Sequence, residues 1–133
     1  ETYAETLSSY LFDESLSPVK RLRHYVESKK NDLLNQSCRK GCLIGNLSQE
    51  MADQSEVLRV ELARVMARWR ELYARCIEEG QKLGEINNKF PASQLAEMFL
   101  CGWEGGIMRS KTQKNVEPLE AFIEVMFNQV LKP

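Results

Sequence analysis

Between residues 58 and 76 one signal repeats: Leu58, Leu62, Val65, Trp69, Leu72 and Cys76 stand four and three residues apart, while Arg59, Glu61, Arg64, Arg68, Glu71 and Arg75 fall between them. This is the spacing of a single face of an α-helix, and a pleated strand, whose side chains alternate with a period of two, cannot bury the same set. The stripe predicts a long amphipathic helix from about Ser55 to Gly84. Apolar residues recur at three and four along the rest of the chain, and no alternating β-branched run interrupts them, so the expected fold class is all-α.

The remaining helices follow from their start and stop signals. Tyr3, Leu7, Tyr10 and Leu11 share one side of a segment from Glu1 to Phe12, which reads as the tail of a helix that begins upstream. Ser17-Pro18 offers a capping hydroxyl and a proline at the first helical position, and Val19, Leu22, Val26 and Leu33 then share a face of a helix over about 17–36. Gly41 and Gly45 bracket a break, with a brief helix from Leu43 to Ala52. Phe90-Pro91 breaks the chain again, Ser93 is placed to cap, and Leu95, Phe99, Gly102, Trp103, Gly106 and Ile107 continue a helical face. Each helical glycine costs up to ~1 kcal/mol against alanine, so Gly102, Gly105 and Gly106 point to a neighbouring helix approaching closely. A last helix opens at Glu117-Pro118 with Leu119, Phe122, Ile123, Met126, Phe127 and Val130 on one stripe.

With 133 residues, 43% of them hydrophobic, the chain has apolar material for one domain, residues 1–133. A formal charge of −1 argues against the positive field that an autonomous nucleic-acid binder presents. The basic excess from Lys20 to Lys40, Arg21 included, reads as a solvated helix face. No apolar run approaches a membrane span and no signal pattern opens the chain, from which a soluble cytoplasmic protein is expected. The absence of an initiator Met suggests a fragment with something preceding Glu1.

Four cysteines, at 38, 42, 76 and 101, follow no secreted framework and read as reduced thiols. Cys42 stands beside Arg39 and Lys40 at the expected amino end of the short helix, where positive charge and the helix dipole favour thiolate; the alternative is an inert small apolar residue. Cys38, four residues earlier, is the candidate resolving partner, whereas Cys76 and Cys101 fall on apolar faces and read as core. His24, the only histidine, reads as an exposed helical residue, and the cysteine spacing is not that of a metal site, so neither metal nor cofactor is expected. Without a nucleophile, base and orienting group, or a phosphate loop, an enzyme is not expected either. Tyr25, Met66, Trp69, Tyr73 and Trp103 are candidate walls of a small-molecule pocket, with ordinary core packing as the alternative.

The order of helices, together with GCLIGNLSQEMA at 41–52, EEGQKLGEI at 78–86, GWEGGIMRSK at 102–111 and EPLEAFIEVMF at 117–127, resembles the C-terminal domain of the tetracycline-repressor (TetR) family. The resemblance covers almost the whole chain from Tyr3 onward. It is closest to a subgroup with Gly-Cys-Leu before the short helix, here Gly41-Cys42-Leu43, which includes repressors responding to quinones, aldehydes and maleimides and is like the N-ethylmaleimide-reductase repressor. That resemblance implies a homodimer whose last two helices form a four-helix bundle, with Gly102, Gly106, Leu119, Phe122, Ile123, Met126 and Phe127 at the contact. It also implies an inducer site among the preceding helices, with Cys42 as thiol sensor, and operator DNA bound only through an N-terminal helix-turn-helix domain absent from this chain. Two alternatives stand beside electrophile sensing: reversible binding of an apolar ligand, and a helical dimerisation or scaffold domain with no small-molecule input.

Overall fold

The computed structural model describes residues 3–38 and 42–133. Along them run α1 (Tyr3–Leu11), α2 (Pro18–Asn35), α3 (Leu43–Met51), α4 (Glu56–Lys82), α5 (Ala92–Gln113) and α6 (Glu117–Val125), the last passing into a π-helical turn at Met126–Val130. No strand occurs among the described residues.

Helix α4 is the frame. Its first turn is capped by the Ser55 hydroxyl, which accepts the Leu58 N–H at 3.2 Å. Its far end closes where Gly84 adopts φ +76°, letting the N–H groups of Gly84 and Glu85 return to the carbonyls of Gln81 and Gly80 at 3.2 and 2.9 Å. The predicted stripe is the buried one: Leu62, Trp69, Leu72 and Cys76 turn inward, joined by Tyr73 and Ile77. Helices α1, α2, α3 and α5 all lie against α4.

Two start signals behave differently from expectation. Ser17 precedes Pro18 in extended conformation, but its hydroxyl makes no cap bond; its carbonyl instead accepts the Arg21 N–H at 2.9 Å. Helix α5 begins at Ala92 behind Pro91, so Ser93 sits inside the first turn rather than capping it. Arg21 also departs from the solvated face assigned to it, being only 5% exposed. Its Nε donates to the carbonyls of Asp13 and Leu16 at 2.7 and 2.8 Å, and its Nη1 pairs with Glu79 of α4 at 2.8 Å. A guanidinium cannot shed its charge, so burial is tolerated only because the turn between α1 and α2 and the carboxylate of α4 together satisfy it.

The glycines of α5 answer to α6 of the same protomer. A Cβ on Gly102 would stand 2.6 Å from the Phe122 ring, and one on Gly106 would stand 2.7 Å from Leu119, whereas Gly105 faces open space. The apolar stripe of the last helix is likewise consumed internally: Leu119, Ile123, Met126 and Phe127 are 0%, 3%, 5% and 8% exposed, and Phe122 is half-buried over Gly102. Gly102, Gly106, Leu119 and Phe122 therefore form a seam between α5 and α6 within the protomer, and Ile123, Met126 and Phe127 are buried in the core of the same protomer. What α5 and α6 leave on the outside is Met98, Cys101, Met108, Ala121 and Val125. At the end of the chain, the Asn87 amide donates to the carbonyls of Val130 and Lys132 at 2.8 and 2.9 Å, and the Asn87 N–H reaches Leu131 at 3.2 Å.

This seam makes a testable contrast. Gly102→Ala drives a methyl into a rigid ring and is expected to destabilise by about 1–3 kcal/mol. Gly105→Ala, with space around it, is expected to be neutral or stabilising by up to ~1 kcal/mol through helix propensity. Urea denaturation of the two variants side by side checks the order.

Candidate functional site

Five helices border an open cavity of about 450 Å³. Helix α1 contributes Tyr3, α2 contributes Lys29, Asp32 and Leu33 with Gln36 just beyond it, α3 contributes Ile44 with Cys42 before it, α4 contributes Trp69, and α5 contributes Trp103 and Ile107. The walls are aromatic and aliphatic, while the charged pair Lys29 and Asp32, 3.6 Å apart, belongs to α2 alone. An apolar cavity with a few polar groups is the form small-molecule sites take. The Tyr3 ring packs on Trp69 with centroids 4.6 Å apart, and its hydroxyl is hydrogen-bonded to that of Tyr25.

Next to this cavity, and sharing Cys42 and Ile107 with it, is a smaller hollow of about 170 Å³ bordered also by Gly45, Ser48, Met66 and Glu104. Cys42 caps α3. Its sulfur accepts the Gly45 N–H at 3.4 Å, and its thiol donates to Glu104 Oε1 at 3.1 Å. Glu104 forms no ion pair among the described residues, and its burial holds the carboxyl above the usual carboxylate range. The thiol shifts the same way: burial first, then the nearby Glu104 charge, push Cys42 up to about 12, against a smaller opposing effect of the Gly45 N–H.

The sequence-predicted residues separate into three groups. Trp69 and Trp103 line the large cavity and Met66 the smaller hollow. Tyr25 and Tyr73 do not line either; fully buried, they stand behind the wall, and burial raises both phenols far above their ordinary value. Cys42 sits where expected, but as a thiol rather than the thiolate foreseen, while Arg39, Lys40 and Gly41 lie outside the described residues. Cys38 is 1% exposed and borders neither cavity, so it is not placed to resolve a bond with a ligand-facing Cys42. Cys76 is core as expected, its thiol directed at the Pro18 carbonyl at 3.5 Å. Cys101 is not: it is exposed on the outer face of α5. His24 is exposed against Tyr10, and no cluster of metal-binding side chains occurs among the described residues. Tyr3, Ile44, Ile107 and Glu104 went unassigned. Tyr3 carried the one usable signal, its place on the α1 stripe, whereas Glu104 follows Trp103 in a helix with nothing in its spacing to mark it.

The family description "Tetracyclin repressor-like, C-terminal domain" matches residues 18–126, which takes in α2 through α6 and so every wall of the cavity except Tyr3. The chain belongs to this family. Among TetR-like relatives, it is 40% identical over 126 residues to the HTH-type transcriptional repressor DhaR of Mycobacterium sp. strain GP1, covering 95% of this chain and 62% of that one. It is 35% identical over 120 residues to the transcriptional regulator AcuR of Cereibacter sphaeroides, covering 90% and 55%. The chain thus spans only part of the length of these relatives. The crystal structure of a regulatory protein TetR from Rhodobacter sphaeroides superposes with a TM-score of 0.88 at 34% identity, over 95% of this chain and 67% of that one. The reduced form of E. coli NemR shares the fold, with a TM-score of 0.84 at 24% identity over 98% and 67%. These TetR-like relatives are transcriptional regulators rather than enzymes. No helix among the described residues is long and apolar enough to cross a membrane.

The buried acid predicts a pH dependence. A carboxyl whose pKa is raised in the folded state carries its desolvation cost above that raised value and loses it below the ordinary value of 4.5. Glu104→Gln, which keeps an acceptor for Cys42, is therefore expected to melt above the parent protein at pH 8. The gap should close as pH falls through the window down to 4.5. Melting curves of both proteins across that range provide the check.

Proposed function

We propose that this chain is the inducer-sensing and dimerisation half of a TetR-like transcriptional repressor. Operator DNA would be bound by a helix-turn-helix domain outside it. The observation that carries this reading is the 450 Å³ apolar cavity, because its wall includes Tyr3 of α1, the first described helix. A ligand entering there must accommodate or displace Tyr3, and with it helix α1. The printed descriptions of DhaR as a repressor and AcuR as a regulator support the same role.

Both tryptophans of the chain line this cavity, so intrinsic fluorescence reports occupancy directly. Titration with a neutral aromatic probe, 1-naphthol, is expected to quench it saturably, and Ile44→Phe, which fills the cavity, is expected to abolish the response with helicity unchanged. Unaltered quenching in that variant would place the probe elsewhere.

The dimer contact of this reading is the outer face of α5 and α6. Met98 and Val125 are 62% and 56% exposed there, and Gly105 leaves room for a partner helix. Val125→Asp is expected to raise the dimer dissociation constant by about tenfold or more, equivalent to ~1.4 kcal/mol, as read by light scattering. Ile123→Asp instead strikes the protomer core and is expected to impair folding.

A second reading, capture of an electrophilic inducer by Cys42, is favoured by one specific observation: the thiol borders both the cavity and the adjoining hollow. It requires an adduct at Cys42 after brief exposure to a small enone, located by peptide mass mapping.

A further inference from the structure

We infer that Glu104 is the proton acceptor that allows Cys42 to add to an α,β-unsaturated carbonyl compound held in the cavity. This rests on the reading of Cys42 as the site of electrophile capture, and it answers a difficulty which that reading leaves open. A thiol must lose its proton to act as a nucleophile. Burial and the neighbouring Glu104 carboxyl hold the Cys42 thiol well above the usual thiol range, so a pre-formed thiolate is scarce at neutral pH.

The geometry supplies another route. Among the described residues the Cys42 thiol donates to one group, Glu104 Oε1 at 3.1 Å, within the reach required of a general base. The sulfur simultaneously accepts the Gly45 N–H, a donor positioned to stabilise charge developing on it. The sulfur also faces the larger cavity, where a planar unsaturated compound would lie between Trp69 and Trp103.

The step balances without any other reactant. The Sγ–C bond forms at the β-carbon as the thiol proton passes to Glu104, and the alkene π pair moves through the α-carbon onto the carbonyl as an enolate. Glu104 then returns the proton to the α-carbon, leaving a thioether on Cys42 and the carboxylate restored. No electron is gained or lost overall. The adduct also has a structural consequence: the thioether has no hydrogen to donate, so Glu104 loses its one hydrogen-bond donor among the described residues. A partly buried carboxylate left without a donor is costly, which favours a new arrangement of α3 against α5.

The other titratable groups around this pair are the phenols of Tyr3 on α1, Tyr25 on α2 and Tyr73 on α4, all shifted upward and neutral, together with two ion pairs bordering the adjoining cavities, Lys29–Asp32 on α2 and Arg70 of α4 with Glu97 of α5, each 3.6 Å apart. Below the alkaline range, the rate should therefore follow Glu104 alone. The test uses the full chain in a Cys101→Ser background, which removes the exposed competitor, with 2-cyclohexen-1-one as probe and adduct formation at Cys42 followed by mass spectrometry. The expected rate rises as Glu104 ionises and levels off once it is ionised. Glu104→Gln should react at least about tenfold more slowly at pH 7, recovering as hydroxide ionises the thiol, and Glu104→Asp should restore part of the loss. If Glu104 acted only as a charge holding the thiol protonated, Glu104→Gln would react faster; a faster or unchanged rate overturns the proposal while leaving electrophile capture standing. If Cys42 of the folded chain stays unmodified while the urea-unfolded chain reacts, electrophile capture itself falls, and the proposal with it.

Discussion

The arrangement of α1, α2 and α4 depends on the burial of one permanent charge. Arg21 can sit inside the protein only if its donors are met, and the partners that meet them come from two places: the turn carbonyls of Asp13 and Leu16 between α1 and α2, and Glu79 on α4. Removing any of these leaves a desolvated charge, so the turn, α2 and α4 are held in one mutual geometry rather than a family of similar ones. Helix α1 hangs from that turn. Its Tyr3 then meets Trp69 and Tyr25 at the other end, which sets the height of the cavity wall.

The helical elements were legible from the sequence because their signal is collective. The stripe from Leu58 to Cys76 has enough members that no single misreading shifts the face, and Leu62, Trp69, Leu72 and Cys76 are buried as that face requires. Single-residue inferences fared less well where two physical explanations share one pattern. Close approach by a helix was correctly read from the glycines of α5, but spacing cannot say which helix approaches; Phe122 and Leu119 of the same protomer occupy the space above Gly102 and Gly106. Cys101 was assigned to an apolar helical face, yet it lies on the opposite side of the helix from the buried Phe99 and faces out. Ser93 fits a cap by residue type, but Pro91 takes the cap position and starts the helix at Ala92, two residues earlier than a Ser93 cap would.

The site was half legible for a similar reason. Large aromatics on an inward face announce that something is buried, without distinguishing a packed wall from an exposed lining; Trp69 and Trp103 became lining, Tyr25 and Tyr73 became the layer behind it. The state of Cys42 was misread because its sequence neighbours are basic while its spatial neighbour is an acid 62 positions later. Local charge patterns inform about the solvent-facing surroundings of a residue, whereas the ionisation of a half-buried thiol is governed by burial and by groups that only the tertiary fold brings within hydrogen-bond distance.

Asn87 gives the molecule a fixed fulcrum. Through its amide and its backbone it grips the carbonyls of Val130, Leu131 and Lys132, fastening the end of the last helix to the loop that follows α4. Three short bonds on one side chain and its backbone resist both sliding and rolling of that end, so any reorientation of α6 driven from the cavity must be a swing about this anchor. Its amplitude grows with distance from Asn87. The start of α6 near Val116, at the opposite end of the helix from this anchor, is where such leverage would be greatest.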